Sequence, residues 1–494
     1  MTDRSGQPSP GQPRSRRQWI GLFLGPALFV GMLLLPAPAG LSAAAWSVAA
    51  LAALMATWWI SEAIPVPATA LLPLVVLPVM GVSSMAQAAS PYANPLIFLF
   101  MGGFMIALAM QRWGLHKRIA LTIVSWVGTS PQALGLGFMI AAAFLSLWVS
   151  NTATALMMMP IALSVVRLAE RPGADGQVPT GHATAFGITL VLGIAYACNI
   201  GGLGTLIGTP PNALMAAYML ESHAVTIGFG QWMLVGMPLV LIGIPITFFL
   251  LVRLLFPIRL TELPGGQQLI QQERQALGRI SREEWGVASV FGLTALLWIT
   301  RPLLQPWLPG LTDAGIAMTA AVALFLIPAG KRYHTSLLDW ETTRNLPWGI
   351  LLLFGGGLSL AAAIGQTGLD DAIGQWVLAL GTWPFIALLA IAVGLVILLT
   401  EITSNTATAA AFLPVLGAAA IGLGHDPLLF VAPVAIAASC AFMLPVATPP
   451  NAVAYGSGLL TVPMMARAGI WLNILFLALI VLLGPSLLLR FLVG

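Results

Sequence analysis

Apolar runs long enough to cross a bilayer recur along nearly the whole of this 494-residue chain. A transmembrane helix needs about 20 consecutive apolar residues. Candidate spans centre on 19–36, 42–61, 65–83, 93–111, 183–200, 231–252, 284–300, 313–330, 347–366, 427–446 and 470–492. Only 7% of residues are charged and 59% are hydrophobic, whereas a soluble domain carries about 25% charged residues. The chain therefore reads as an all-α polytopic membrane protein in a lipid bilayer. The formal charge of +4 is no nucleic-acid signal, because the basic residues sit in loops and not on one face. Two cysteines, Cys198 and Cys440, lie in apolar segments and exclude a disulfide framework.

Lys and Arg concentrate in cytoplasmic loops, which sets orientation. Residues 1–18 are polar, Pro-rich and basic and read as a disordered cytoplasmic tail; Leu34 to Gly40 lacks a clear signal-cleavage site. If 132–168 and 383–420 are hairpins that enter and leave on one side, all 20 basic residues except Arg301 and Arg490 fall inside. Making either hairpin a single crossing destroys that bias. The expectation is about 11 transmembrane helices, two re-entrant hairpins, a cytoplasmic N-terminus and an external C-terminus. Residues 259–283 become a cytoplasmic linker between halves at 19–258 and 284–494.

The halves resemble each other. Ser150-Asn151-Thr152 and Ser404-Asn405-Thr406 are each followed by Ala-Thr-Ala and then by Pro160 or Pro414, at a constant offset of 254. Gly208-Thr209-Pro210-Pro211-Asn212 matches Ala447-Thr448-Pro449-Pro450-Asn451 at an offset of 239. By the crossing count the two hairpins open from opposite sides, so the repeat is inverted, the pattern of secondary transporters with a site at the repeat interface.

Each Ser-Asn-Thr triplet interrupts an apolar stretch. Ser, Asn and Thr cap new helices, and a half-helix start presents free N–H groups and positive dipole to an anion. The same break frees carbonyls for a hard cation. Ser146 lies one turn before Ser150, and Thr400 one turn before Ser404, so each tip offers neutral oxygens. The Pro-Pro pairs make a second break in each half, tolerated at membrane depth only where it is buried or faces a cavity. A lone polar triplet would read as helix-packing glue; two matched copies read as one polar centre. Glu401, the one acid deep in the second hairpin, reads as a brace for that hairpin, and Glu62 as the brace of a helix end. The histidines show no ligand spacing. No Lys or Arg is expected near the motifs, so a buried dianion, very costly if uncompensated, calls for cations bound beside it.

These paired motifs resemble the divalent anion/sodium symporter family, including its INDY-type dicarboxylate transporters, and the resemblance covers nearly all of the chain after residue 18. It implies a homodimer whose protomers divide into scaffold and transport domains and work by an elevator movement. Carried over, Asn151, Thr152, Asn405, Thr406 and Pro449 would contact substrate carboxylates, with Thr209 and Thr448 as further candidates. One sodium would use Ser146, Ser150, Asn151 and the Gly208 carbonyl; a second would use Thr400, Ser404, Asn405 and the Ala447 carbonyl. Ala447 in place of glycine is harmless where only a carbonyl serves, and Leu147 stands where the second copy has Glu401. The function expected is sodium-coupled symport of C4 dicarboxylates (succinate, malate, fumarate) into the cell. The alternatives are a sodium-independent exchanger and a citrate or sulfate carrier on the same fold. An intramembrane enzyme lacks its constellation, since neither Ser150 nor Ser404 has a histidine partner in its segment. An open channel suits paired hairpins less well than an occluded site.

Overall fold

A computed structural model describes residues 14–128, 130–169, 182–258, 260, 263, 265–330, 335–379 and 383–493. The described residues are helical, with one isolated β-bridge between Pro328 and Ser336.

The first half opens with α1 (Arg16–Leu34) and α2 (Ala43–Ser61). Helix α1 starts inside the stretch expected to be a tail, because Ser15 and Gln18 form a reciprocal capping box that satisfies its free N–H groups. The expected tail otherwise falls on residues 1–13, outside the described residues. Glu62 closes α2 in the left-handed conformation (φ 51°), pairs with Arg17 at 3.6 Å and accepts from Gln18 Nε2 through its carbonyl at 3.2 Å. It braces a helix end as its sequence position suggests.

The expected span at 65–83 is instead two short pieces, α3 (Val66–Thr69) and α4 (Leu72–Val79). Prolines at 65, 67, 73 and 78 remove backbone donors and break the run. After α5 (Met85–Ala89) come α6 (Pro95–Arg112), the amphipathic α7 (Leu115–Val127), α8 (Pro131–Ser146) and α9 (Asn151–Ala169). Then follow α10 (His182–Gly202), α11 (Pro210–His223) and α12 (Phe229–Phe249), which runs into a π-helical turn at 250–255.

The linker carries a helix of its own, α13 (Gly266–Ala276). It is tied to α7 by Lys117–Glu273 at 2.9 Å and by Arg274 donating to Ser125 Oγ at 3.0 Å. Arg118 donates to the carbonyls of Leu277, Gly278 and Arg279 and pairs with Glu284 at 2.7 Å. The second half has α14 (Arg282–Leu304), α15 (Asp313–Leu326), α16 (Trp348–Thr367), α17 (Leu369–Ala379), α18 (Phe385–Thr400), α19 (Asn405–Gly422), α20 (Leu428–Ala438), α21 (Pro449–Tyr455) and α22 (Val462–Leu488).

The order of elements repeats: α8–α9 with α18–α19, then α10–α11 with α20–α21, then α12 with α22. Ten helices among the described residues are long and apolar enough to cross a membrane, and α9 and α19, the second arms of the hairpins, are two of them. Two further expected spans, 313–330 and 427–446, are helical only over α15 and α20, which are 14 and 11 residues long, too short to cross alone.

Helix α10 runs through the core, nearly all of it from residue 185 to 202 buried. The first hairpin lies against it at backbone distance: a Cβ added at Gly201 would sit 2.3 Å from the Ala143 carbonyl oxygen of α8. We therefore expect Gly201→Ala to push α8 off α10 and to cost roughly 1–3 kcal/mol as overpacking, read as a lower thermal midpoint of the detergent-solubilised protein. An unchanged midpoint would contradict this packing.

Candidate functional site

Two helix breaks, one in each hairpin, bring Ser146, Ser150, Asn151 and Thr152 to one tip and Thr400, Ser404, Asn405 and Thr406 to another. At the first, α8 ends at Ser146 and α9 starts at Asn151. Ser150 caps the new helix, its Oγ accepting from Ala153 N at 3.3 Å and its carbonyl from Thr154 N at 3.0 Å. Ser146 Oγ and Asn151 Oδ1 are buried without a hydrogen bond of normal geometry; the Cys198 thiol lies beside Ser146. A Cβ at Gly202 would fall 3.1 Å from both terminal atoms of the Asn151 amide and 3.1 Å from the Gly208 carbonyl oxygen. Asn151 and Gly208 therefore meet over a glycine where a Cβ would fit only if its neighbours gave by a few tenths of an ångström. Unsatisfied neutral oxygens and a free carbonyl suit a hard cation.

At the second tip, Ser404 caps α19, accepting from Ala407 N at 3.5 Å. Thr400 Oγ1 lies 2.7 Å from Asn405 Oδ1 and 2.7 Å from the Ala438 carbonyl. A hydroxyl has one hydrogen, so two acceptors compete for it and three oxygens are drawn together. Thr403 and Thr408 share a hydrogen bond at 2.6 Å; in the first copy Val149 stands where Thr403 does, and Thr154 Oγ1 is left buried and unpartnered. Thr152 is half-buried, Thr406 is buried, and Pro449 is exposed. Ala447 is buried and its N–H donates to the Leu444 carbonyl at 3.2 Å.

Thr209 and Thr448 are placed differently from the tips. Thr209 Oγ1 lies 3.1 Å from Ser439 Oγ. Thr448 Oγ1 caps α21 through Asn451 N at 3.3 Å and accepts from Asn199 Nδ2 at 3.0 Å. Both hydroxyls are committed to protein partners. Asn212 and Asn451, the last residues of the two Thr-Pro-Pro-Asn motifs, hold the loosened chain beside them. Asn212 Nδ2 donates to the carbonyls of Gly202, Leu203 and Thr205, and Asn451 Nδ2 to those of Ala441 and Leu444. Their repetition in the motif was the signal that could have found them.

Glu401 explains why the expected span at 427–446 stops short. Its carboxylate accepts from the N–H groups of Phe442, Met443 and Leu444 at 2.8–3.1 Å and from Asn473 Nδ2 at 2.8 Å. Backbone donors that would continue α20 are captured instead, a nest filled by the protein's own anion. Glu401 braces the hairpin against the 439–447 loop and α22. In the first half the corresponding tie is Thr205 Oγ1 donating to the Leu147 carbonyl at 2.5 Å.

One expectation needs correcting. A cation does reach the second tip: Arg17 donates to the Ile402 carbonyl, because α1 begins earlier than its composition suggests. It is also paired with Glu62 and half-exposed, so its charge is offset locally. Among the described residues no group of three or more His, Cys, Asp or Glu is arranged to hold a metal ion. A cavity of about 230 Å³ lies at the other end of α19, lined by Tyr218, Glu221, His223, Gln366 and Asp370 among others. Its acidic rim is the wrong sign for a dianion.

The family described as "Sodium:sulfate symporter transmembrane region" matches residues 16–491. The chain belongs to this family of membrane symporters. Among curated relatives of this symporter chain is the sodium-dependent dicarboxylate transporter SdcS of Staphylococcus saprophyticus, 45% identical over 470 residues, covering 94% of this chain and 90% of that one. SdcS of Staphylococcus aureus is 44% identical over 478 residues, 95% and 91% of the two chains. Among solved structures, the YdaH transporter of Alcanivorax borkumensis superposes with a TM-score of 0.56 at 14% identity, over 83% of this chain and 90% of that one; at that identity the likeness shows the fold alone. The symporter is thus a multi-pass membrane transporter.

Glu401→Ala would leave three backbone N–H groups and an amide without their acceptor. Each unpaired buried donor costs about 1–3 kcal/mol, so we expect a destabilisation of at least about 3 kcal/mol, visible in thermal unfolding of the solubilised protein. A wild-type midpoint would mean that water or another group replaces the carboxylate.

Proposed function

We propose that this symporter drives C4 dicarboxylates such as succinate, malate and fumarate into the cell, coupled to sodium. The observation that carries the reading is the pair of oxygen-rich tips, each at the start of a half-helix and each built from neutral side chains. Family membership and the names of the SdcS relatives support it. One sodium would be held by Ser146, Ser150, Asn151 and the Gly208 carbonyl, the other by Thr400, Ser404, Asn405 and the Ala447 carbonyl. The anion would lie between Asn151-Thr152 and Asn405-Thr406, with Pro449 beside it, on the positive ends of α9 and α19. Thr209 and Thr448 serve this site from behind, because their hydroxyls are already engaged.

The arrangement in the membrane belongs to the same proposal. Re-entrant hairpins at 132–168 and 383–420 open from opposite faces, the N-terminus is cytoplasmic and the C-terminus external. The two halves, 19–258 and 284–494, form an inverted repeat whose scaffold and transport domains move by an elevator mechanism in a homodimer. The distribution of basic residues and the repeated order of helix breaks support this reading. Binding of sodium first orders the tips and supplies the positive charge a buried dianion requires. The protein would carry out no covalent chemistry. Sulfate is a second reading of the anion, favoured by the family's description, and competition against labelled succinate separates the two.

The decisive assay is uptake of radiolabelled succinate into proteoliposomes. We expect uptake to require an inward sodium gradient, and counterflow that needs no sodium would replace the symporter by an exchanger. Asn151→Ala and Asn405→Ala should each abolish uptake while leaving a folded protein by gel filtration; near-normal uptake by either would exclude the shared site. Replacing Thr152 or Thr406 by Val should raise the apparent constant for succinate more than that for sodium, and the opposite order would reverse the assigned roles.

A further inference from the structure

The two Thr-Pro-Pro-Asn motifs do more than break helices. Thr209 and Thr448 occupy the same place in the repeat, and each hydroxyl reaches into the other half. Thr209, in the first half, meets Ser439 at the end of α20 at 3.1 Å. Thr448, in the second half, accepts from Asn199 of α10 at 3.0 Å. Asn199 Nδ2 also faces the Ala441 carbonyl at 3.3 Å and Asn451 Oδ1 at 3.4 Å. All four residues are 2–4% exposed. The contacts are reciprocal and buried.

Apolar contact is non-directional and lets two surfaces slide. Hydrogen bonds inside a low-dielectric core are strong and fix geometry. The stitch joins segments that lead straight to the tips. From Asn199, α10 runs on to Gly202, where an added Cβ would fall 3.1 Å from both terminal atoms of the Asn151 amide. From Ser439, the loop passes Phe442, Met443 and Leu444, which Glu401 grips beside Thr400. Ala438, one residue before Ser439, gives its carbonyl to Thr400 Oγ1.

We infer that Asn199 and Ser439 are positioning residues that set the distance between the two binding tips, so that the anion spans them and cations at the two tips bind cooperatively. This rests on the transport reading above, and neither residue touches the substrate.

The test uses the full-length protein, purified and reconstituted, with Asn199→Ala, Ser439→Ala and the hydroxyl-retaining Ser439→Thr. Three quantities are read per folded molecule: the KM for succinate at saturating sodium, kcat, and the Hill coefficient for sodium. Binding of labelled sodium to the solubilised protein without any anion is measured alongside. Both alanine variants should raise KM roughly tenfold, the scale of one lost buried hydrogen bond, with a smaller change in kcat. Their sodium Hill coefficient should fall towards one, in uptake and in binding alike, and Ser439→Thr should restore both. A merely structural role would lower the yield of folded protein and leave KM and the Hill coefficient at wild-type values, which would overturn the inference. If Asn199→Ala does not fold, Ser439→Ala decides alone. Sodium-independent uptake by the wild type would sink the transport reading instead, and the KM comparison would still judge the stitch.

Discussion

Backbone freed from a helix at membrane depth has no water to bond, so every such N–H and C=O has to find a partner within the protein. Around the two repeated motifs, backbone is freed at 147–150, at 203–209, at 401–404 and at 439–448. The partners it recruits organise everything near the centre. Asn212 and Asn451 gather loose carbonyls, Glu401 gathers loose N–H groups, Ser150 and Ser404 cap the helices that resume. What these partners leave unsatisfied is as informative. Ser146 Oγ and Asn151 Oδ1 have no hydrogen bond of normal geometry, and Thr400 Oγ1 has more acceptors than hydrogens. An array of neutral oxygens short of positive partners is chemistry that suits a hard cation.

The two halves answer the same constraint with different chemistry. The second half uses a full carboxylate, Glu401, where the first has Leu147 and relies on Thr205. The difference follows from the lengths of broken chain. Helix α10 continues to Gly202 before it breaks, whereas α20 stops at Ala438 and leaves three successive donors exposed at 442–444. A nest of that kind needs an anion.

Much of this was legible beforehand. The matched triplets marked both helix breaks to within a residue or two: α9 begins at Asn151 and α19 at Asn405. The bracing role of Glu401 also followed, from its solitude in an apolar segment. Other features had no such signal. The start of α1 hinged on a capping box of two residues in a polar stretch, and with it came Arg17 at the second tip. Spans at 65–83 and 427–446 were overestimated, because hydropathy counts apolar side chains and is blind to where backbone donors are captured. Asn199 and Ser439 were invisible: each is a single polar residue in an apolar run, and their partners lie 249 and 230 residues away. Only the fold brings them together.

The central claim is that one anion and its cations share the space between two tips contributed by the two halves. A cryo-EM map of the reconstituted protein in sodium and succinate tests it most directly. The account predicts density for the dicarboxylate between Asn151-Thr152 and Asn405-Thr406, with a cation peak at Asn151 and Gly208 and another at Thr400 and Asn405. Succinate density anywhere else, or tips whose oxygens stay without cations while the anion is bound, would contradict it.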